Sequence, residues 1–325
     1  MHFDSRLSAT VNYTNRCNTM GLVLWWVLLI APVLAEARPI VLIADEQVIY
    51  HKQFVESFNR HLTPAEQSGL VVLDSHHASL NAHSAIILDR DSIVVTVGSA
   101  AAEQVMPMDS RARMLHAMLT DQDYQALEER YNGDMRQHSV LYIEQPLGRY
   151  LHLINSVFPE GTRITSLFGP LAEQNRIELG RQARLQGVSL REVVLGSEQD
   201  LASVLNDILP QTQVLLTLPD PEVINSKTAK TLIYGAFRHH VPLVGYSQAI
   251  VKAGALMAVY STPEELGRQA AELVSASLSS RQRPIPRYSW PRYYSVSVNF
   301  QVARSIDITL PDEKTIVARI REMER

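Results

Sequence analysis

The sequence predicts an α/β protein built from two doubly wound parallel-sheet lobes that crossover hinge strands join. Short apolar runs rich in β-branched residues alternate with helical patterns of about 10 to 16 residues, which is typical of βαβ units. The alternation forms two cycles that separate near residue 155, and a chain of 325 residues is long enough for two domains with separate cores.

The first cycle begins with a short apolar strand and an amphipathic helix. Strands are predicted at residues 38–44, 70–73, 92–98, 113–119 and 140–143. A helix is expected over residues 50–62, because Phe54, Phe58 and Leu62 recur every four residues and form one apolar face.

The second cycle repeats this alternation. Strands are predicted at residues 162–168, 188–195, 213–218, 241–246 and 255–260, with helices at residues 171–186, 200–209, 226–239 and 264–278. The last of these helices carries a full start signal. Thr262 can cap it, Pro263 suits its first position, and Glu265 follows the cap by three residues.

The C-terminal stretch breaks the alternation and sets the predicted lobe boundaries. Prolines mark a linker, after which residues 293–300 alternate like a strand and residues 311–325 predict a helix with Ile316, Ile320 and Met323 on one face. We expect this strand and helix to return to the first lobe. The predicted domains are therefore a signal peptide at 1–37, a first lobe at 38–155 plus 288–325, and a second lobe at 156–287.

The N-terminal 37 residues are predicted to be a signal peptide. An unbroken apolar run covers residues 20–30, and Ala35-Glu36-Ala37 offers a small-residue cleavage site. The apolar segment is shorter than the roughly 20 residues that span a bilayer. We therefore predict a periplasmic protein, with an uncleaved membrane anchor, or translation from Met20, as the alternatives.

Composition excludes several classes of protein. The net charge of −4 gives no reason to expect nucleic acid as a partner. The single cysteine, Cys17, lies in the predicted signal peptide, so the mature chain would contain no disulfide, thiolate zinc site or cysteine nucleophile. We expect no cofactor and no metal, and a monomeric protein.

Polar residues follow several of the predicted strands. Ligands of open α/β sheets bind at the carboxyl ends of the strands. Ser99 and Ala100 follow one such strand and open a helix, so they are candidate contacts for a carboxylate or another polar group, unless Ser99 only caps that helix. Gln145 lies near the lobe boundary and is either a ligand contact or part of the hinge.

The second predicted lobe offers three more candidates. Asp220 stands between two prolines at the end of a strand, so its carboxylate should be fixed in place. It could bind an amino group or a hydroxyl, or it could cap the following turn. Tyr246 and Ser247 end the next strand along the chain and could contact the same ligand.

Enzymatic interpretations have less support. His76-His77 and His239-His240 are adjacent pairs, whereas helical metal sites favour an i, i+4 spacing. The segment 245–249 resembles a nucleophile elbow except that Ala249 stands where glycine is expected, and no histidine follows Ser247. We therefore predict a protein without catalytic activity, with a hydrolase as a remote alternative.

Several segments resemble the substrate-binding proteins of ABC transporters that have a type I periplasmic-binding fold. The similarity is densest at residues 215–221, 241–247 and 252–256, and it extends to 297–305, where Ile306-Asp307 replaces the usual Leu-Gly. The first-lobe segment 97–100 matches less specifically.

This resemblance implies a solute receptor. Two lobes would close on a small solute, and a membrane permease would recognise the closed form. The ligand positions that it implies are Ser99, Asp220 and Ser247, together with Gln145 and Tyr246. A sensor or accessory binding protein on the same fold, which serves a signalling or outer-membrane partner, is the alternative.

Overall fold

The protein was analysed as a computed structural model that describes residues 39–75, 83–87, 89–108, 110–131, 133–196, 201–280 and 284–325. The predicted signal peptide and the pair His76-His77 lie outside the described residues. Within them, no helix combines the length and the apolar character needed to cross a membrane.

The described segments form strands and helices in alternation. The strands are β1 (Ile40–Ala44), β2 (Leu70–Asp74), β3 (Ile93–Val97), β4 (Arg113–Leu119), β5 (His138–Tyr142), β6 (Ile164–Phe168), β7 (Leu190–Val194), β8 (Val214–Leu216), β9 (Leu243–Gly245), β10 (Met257–Tyr260), β11 (Tyr288–Ser289) and β12 (Ser295–Val298). The helices are α1 (Ile49–His61), α2 (Pro64–Ser68), α3 (Ser84–Ile87), α4 (Ser99–Val105), α5 (Asp121–Tyr131), α6 (Leu147–Asn155), α7 (Glu173–Leu185), α8 (Leu201–Ile208), α9 (Ala229–Arg238), α10 (Gln248–Ala253), α11 (Pro263–Ser279), α12 (Phe300–Ser305) and α13 (Glu313–Met323). Short 3-10 turns cover Met135–Gln137 and Leu209–Gln211.

The strands assemble into two six-stranded sheets, which confirms the predicted fold class. The order is β11-β5-β4-β3-β1-β2 in the first sheet and β12-β10-β9-β8-β6-β7 in the second. Every described pairing is parallel except that of β12 with β10. The non-sequential strand order requires right-handed crossovers, and helices supply them.

Both faces of each sheet are covered. Along β1, Ile40, Leu42 and Ala44 pack in one apolar cluster, and Val41 and Ile43 pack in another on the opposite face. In the second sheet, Val214 and Leu216 of β8 join one cluster and Leu215 joins the other. Alternate side chains of a strand point to opposite faces, so helices must cover both sides of such a fully apolar strand.

The predicted helix near the N-terminus is confirmed at α1. Phe54, Phe58 and Leu62 are all buried against the first sheet, in an apolar core that also contains Leu266 and Ala270 of α11. The start of α11 follows the sequence signal as well, because Thr262 and Glu265 form both hydrogen bonds of a capping box.

The predicted lobe membership of the C-terminal region is wrong. Strand β12 pairs antiparallel with β10 of the second sheet, and α13 packs on β12 and α6. Of the predicted apolar face of α13, Ile316 and Ile320 are buried, whereas Met323 is 39% exposed. The last strand and helix therefore complete the second lobe, not the first.

Helix α11 was predicted in the second lobe but belongs to the first. It follows β10 of the second sheet but packs on α1 in the first lobe. The two helices approach so closely that a Cβ atom at Gly267 would collide with the carbonyl oxygen of Phe54. The first lobe thus contains the described residues of 39–142 and 263–289, and the second lobe begins at α6 rather than at residue 156.

Some short elements were not predicted. After β9, residues Gln248–Ala253 form α10, for which no helix was predicted. Helix α6 and the two-residue strand β11 were also missed. Such short elements carry too few periodic residues to give a clear pattern.

Candidate functional site

The carboxyl ends of the two sheets meet where the chain crosses between the lobes. Four residues separate Tyr142 at the end of β5 from Leu147 at the start of α6, and two residues separate Tyr260 of β10 from Pro263 of α11. A third crossing connects β11 to β12. Because all the strands except β12 run parallel within their sheets, the loops that follow them gather at the same edge, where α/β folds bind ligands.

A hydrogen-bond network ties the three crossings together. Gln145 in the first crossing donates from Nε2 to Ser261 Oγ in the second, at 2.8 Å. Ser261 Oγ donates in turn to the carbonyl of Tyr293 in the third, at 2.6 Å. Arg149 donates to Gln145 Oε1 at 2.7 Å and to the carbonyl of Pro291 at 2.8 Å.

Arg149 also links this network to the C-terminal helix. Its Nε lies 2.5 Å from Glu324 Oε1, and its guanidinium stacks 4.1 Å from the ring centre of Tyr294. Tyr294 donates its hydroxyl to the other oxygen of Glu324 at 3.2 Å. A buried arginine needs such partners, because an unpaired buried charge is strongly unfavourable.

These contacts place Gln145 in the hinge. The residue is only 1% exposed, and both its amide oxygen and its amide nitrogen have partners within the hinge. Of the two interpretations that the sequence left open, the geometry supports hinge packing.

Asp220 fastens two loops of the second lobe to each other. Its Oδ2 accepts from the backbone N–H of Gly169, after β6, at 2.7 Å, and its Oδ1 accepts from the N–H of Glu222 at 3.0 Å. Glu222 continues the connection, because its Oε2 accepts from the N–H of Leu171 at 3.1 Å. Asp220 is 8% exposed, so its carboxylate chiefly holds the wall of the site in place.

Tyr246 and Ser247 lie beside this wall, as the sequence predicts. Burial raises the pKa of the Tyr246 hydroxyl, and the nearby Asp220 carboxylate raises it further. Ser247 caps α10, since its Oγ accepts from the N–H of Ile250 at 3.3 Å. Both side chains are partly accessible, so the structure brings Asp220, Tyr246 and Ser247 together on the second lobe.

In the first lobe, Ser99 and Ala100 are exposed at the start of α4, after β3. The residue that caps this helix is Gly98, with φ of +82°, and Ser99 makes no capping hydrogen bond. The capping alternative for Ser99 is therefore wrong. Helix α4 has only seven residues, so its terminus alone gives no argument for an anion site.

Two further residues lie at this junction: His51, which sequence reasoning missed, and Glu144, which the sequence places beside the candidate Gln145 without a role of its own. His51, on α1, packs against Gly98 and accepts from the backbone N–H of Asp45 at Nδ1, at 3.3 Å. Glu144, in the first crossing, accepts from the N–H of Asp121 at 2.8 Å. A histidine in a helix gives no sequence signal of a site, since its position depends on tertiary contacts.

Glu144 is the most perturbed acid at the junction. Burial raises its pKa to about 7, the hydrogen bond from Asp121 lowers it, and the Asp121 and Asp123 carboxylates raise it. Tyr150, fully buried nearby, has a raised hydroxyl pKa through burial first and through Glu144 second. Perturbed groups of this kind collect at functional sites, although hinges also contain them.

The described residues contain no cluster of three or more histidine, cysteine, aspartate or glutamate side chains that could hold a metal ion. His239 and His240 follow the last residue of α9, and His240 adopts a left-handed backbone conformation with φ of +54°. That conformation breaks the helical spacing on which paired histidine ligands depend.

Comparison with known proteins agrees with this architecture. The profile of the family described as ABC transporter substrate binding protein matches residues 143–320. Among solved structures, a ligand-free, open substrate binding protein with adhesive properties from Clostridium difficile aligns with a TM-score of 0.66 at 13% identity, over 86% of this chain and 97% of that one.

Two further structures show the same fold. An ABC domain in complex with L-Trp from Streptococcus pneumonia aligns with a TM-score of 0.53 at 14% identity, over 86% of this chain and 98% of that one. A conserved domain protein from Vibrio cholerae aligns with a TM-score of 0.51 at 16% identity, over 87% of this chain and 98% of that one. A search of curated protein sequences gives no match.

The family profile covers more than half of the chain, from the first crossing to the last helix. It spans the second lobe up to residue 320, the hinge, and α11 and β11 of the first lobe. The two sheets with their carboxyl ends at a common junction have the type I periplasmic-binding architecture. The chain therefore belongs to the ABC transporter substrate-binding protein family.

Proposed function

We propose that the protein is the periplasmic solute-binding component of an ABC-type uptake system. It would clamp a small solute between its lobes and present the closed form to a membrane permease, as a monomer without catalytic activity, cofactor or nucleic-acid partner. The observation that carries this proposal is the meeting of the carboxyl ends of both sheets at a three-part hinge, in a chain of this family.

Two separate cores joined by short crossings support a clamp. Each lobe has its own apolar core, and the chain passes between them at the crossings near residues 143–146, 261–262 and 290–294. A hinge needs only a few residues that absorb the change in backbone angles. A solute that contacts both lobes would then favour the closed arrangement over the open one.

The proposed ligand contacts come from both lobes. Ser99 and Ala100 would face the solute from the first lobe, and Tyr246 and Ser247 from the second. Asp220 would hold the second-lobe wall and offer its remaining lone pairs, while Gln145 would act through the hinge. None of these roles involves a proton transfer.

A thermal-shift screen of the purified protein against amino acids, sugars, nucleosides and vitamins tests the binding. A solute that binds only the folded state raises the melting temperature with increasing concentration. We expect one chemically coherent group of solutes to do so, and a silent panel would contradict the receptor function.

Small-angle X-ray scattering with and without the active solute tests the clamp. We expect the radius of gyration to fall on binding, because the lobes approach each other. A solute that raises the melting temperature without any compaction would support a binding protein that does not close, which would argue against recognition by a permease.

A further inference from the structure

We propose that Thr96, His116 and His138, which we call the histidine chain, form an acid-sensitive switch in the first lobe. The histidine chain connects β3, β4 and β5 through their side chains. It stays intact with at most one added proton, and a second proton breaks it. This inference goes beyond the proposed function, because it concerns the pH at which the first lobe keeps its structure, whatever solute the protein binds.

The three side chains form a continuous set of hydrogen bonds across neighbouring strands. Thr96 Oγ1 lies 2.8 Å from His116 Nδ1, and His116 Nε2 lies 2.9 Å from His138 Nδ1. Thr96 is directly opposite His116 in the pairing of β3 with β4. His138 is opposite Met114, two residues before His116. Because alternate residues of a strand share a face, all three side chains lie on one face of the sheet.

The histidine chain is shielded from solvent. Thr96 and His116 are fully buried, and His138 is 7% exposed. Tyr124 of α5 packs on His116, with 6.1 Å between the ring centres. Water therefore cannot replace the hydrogen bonds of His116, and a proton from solvent must enter at His138.

The bond between the two histidines limits how many protons they can hold. It contains one hydrogen atom, because one ring nitrogen must donate and the other must accept. When His138 takes up a proton, its Nδ1–H donates to His116 Nε2, and His116 Nδ1–H donates to Thr96 Oγ1, since a hydroxyl can accept as well as donate. A second proton, on His116, would place two N–H groups against each other and break the bond.

The surrounding groups favour His138 as the site of the first proton. Burial lowers the pKa of His138, the carboxylates of Asp134 and Glu128 oppose this effect, and the guanidinium of Arg287 adds to it. Burial also lowers the pKa of His116, and the adjacent His138 lowers it further, with no carboxylate to oppose it. His116 is therefore the ring that resists protonation.

The sign of the pH dependence follows from these shifts. A histidine that stays neutral in the folded state binds its proton only after unfolding, so the unfolded state holds more protons below about pH 6.5. The stability of the first lobe therefore falls as the pH falls through this value. If His116 stays neutral down to pH 4, it alone raises the unfolding constant roughly 50-fold between pH 6 and pH 4.

The histidine chain lies next to the turn that carries a candidate ligand residue. Gly98, two residues after Thr96, donates its N–H to the carbonyl of Ala117 at 2.9 Å. Ala117 directly follows His116, so separation of β3 from β4 would displace this turn together with Ser99. Acid would then weaken solute binding, and this consequence, unlike the switch itself, rests on the proposed function.

Amide hydrogen exchange, followed by NMR at several pH values, tests the switch. We expect protection factors, which correct for the intrinsic effect of pH, to fall in β3, β4 and β5 before they fall in the second sheet. His116→Gln keeps an amide that can form hydrogen bonds but cannot take up a proton in this range. Its loss of first-sheet protection between pH 6 and pH 4 should be roughly 50-fold smaller than that of the wild-type protein.

A histidine of the second lobe provides the matched control. His152 is partly buried, and burial lowers its pKa as well. His152→Gln should leave the pH dependence of first-sheet protection unchanged. If His116→Gln fails to fold, His138→Asn, which keeps a polar atom near the position of Nδ1, should also reduce that dependence, and an unchanged dependence would overturn the switch.

Long-range proton–nitrogen spectra count the protons on the two rings directly. At every pH at which the first sheet stays protected, at most one ring should be doubly protonated, and that ring should be His138. Two doubly protonated rings in a protected sheet, or equal pH dependence in the wild-type protein and His116→Gln, would overturn the switch and leave the receptor function standing. A silent solute panel would contradict the receptor function and leave the switch standing.

Discussion

The loops at the carboxyl ends of the two sheets differ in how they use their polar groups. In the second lobe, Asp220 and Glu222 accept hydrogen bonds from the backbone of the β6–α7 loop, so the loops hold each other. In the first lobe, His51 Nε2 and Ser99 Oγ make no hydrogen bond within the described residues. The second-lobe wall, formed by the loops of Asp220 and Gly169, is thus bonded internally. The first-lobe wall, formed by His51 and the turn at Ser99, has side-chain atoms without a partner among the described residues.

This difference indicates that the second lobe provides a rigid surface, whereas the first lobe provides polar groups that are free to bind a ligand. A wall whose amides and carboxylates are already paired loses little entropy when a ligand arrives, which favours binding through preorganisation. A wall with unused donors gains hydrogen bonds only when a ligand or water supplies acceptors. The comparison predicts that removing a paired second-lobe carboxylate affects stability, and that removing an unpaired first-lobe hydroxyl affects binding.

The largest effect is expected at Asp220. Asp220→Ala would leave the buried N–H of Gly169 without a partner and remove a charge-assisted hydrogen bond, so the free energy of unfolding should fall by about 2 to 4 kcal/mol. Ser99→Ala, in the first lobe, should change it by less than about 0.5 kcal/mol, because its exposed hydroxyl has no partner. Urea denaturation monitored by circular dichroism measures both.

Asp220→Asn is the control for that experiment. Asparagine keeps one acceptor oxygen, so this variant should lose clearly less stability than Asp220→Ala. If Asp220→Ala proved as stable as the wild-type protein but bound solute about tenfold less tightly, Asp220 would be a ligand contact first, and the contrast between the walls would be wrong.

A pair of glycines sharpens the account of the first-lobe wall. Gly98 and Gly161 have nearly the same φ, +82° and +81°, but a Cβ atom meets His51 at 2.9 Å in the first case and nothing within 4 Å in the second. Gly161→Ala should cost about 1 kcal/mol from backbone strain alone. Gly98→Ala should cost about 1 kcal/mol more, because the His51 ring must move.

Chemical denaturation of the two alanine variants measures this difference. Equal costs at both positions would mean that His51 is free to move away. In that case the ring is not held against the turn, and the first-lobe wall is less ordered than the structure indicates.

The smallest effect concerns Glu144, at the crossing that both lobes share. Because burial raises its pKa to about 7, Glu144 ionises less readily in the folded state than in the unfolded state. The folded state therefore loses stability as the pH rises from about 4.5 to about 7, and the loss stays constant above that range. Below pH 4.5 the residue is neutral in both states and has no effect.

Glu144→Gln should remove this dependence. It keeps an acceptor for the N–H of Asp121 and should raise the free energy of unfolding by about 1 to 2 kcal/mol at pH 8, with no change at pH 4. Thermal melts of both proteins at the two pH values measure it. Equal gains at pH 4 and pH 8 would show that ionisation of Glu144 is not the cause.

Local patterns predicted the regular elements well. The four-residue spacing of Phe54, Phe58 and Leu62 identifies α1, and the capping box of Thr262 and Glu265 marks the start of α11. The apolar strands of both sheets appear within a few residues of their predicted bounds. All of these signals come from residues within a few positions of each other, which is the range over which helix periodicity and capping act.

The placement of functional groups was harder to predict. Ser99, Tyr246 and Ser247 lie at strand ends as expected, but Asp220 finds its partner Gly169 across a separation of 51 residues. His51 was missed because its role depends on Gly98, which another strand brings against it. Contacts of this kind depend on the order of the strands in the sheet, and local sequence patterns do not predict that order.

By itself, the sequence determined that the chain alternates strands and helices in two cycles, because apolar periodicity and capping act locally. Only the tertiary structure decided which lobe each C-terminal element joins. Helix α11 buries its apolar face on α1, with Gly267 allowing the close approach, while β12 completes the edge next to β10. The apolar face of a helix shows that the helix must pack against another element. Which element it packs against depends on a complementary surface that is often far along the chain.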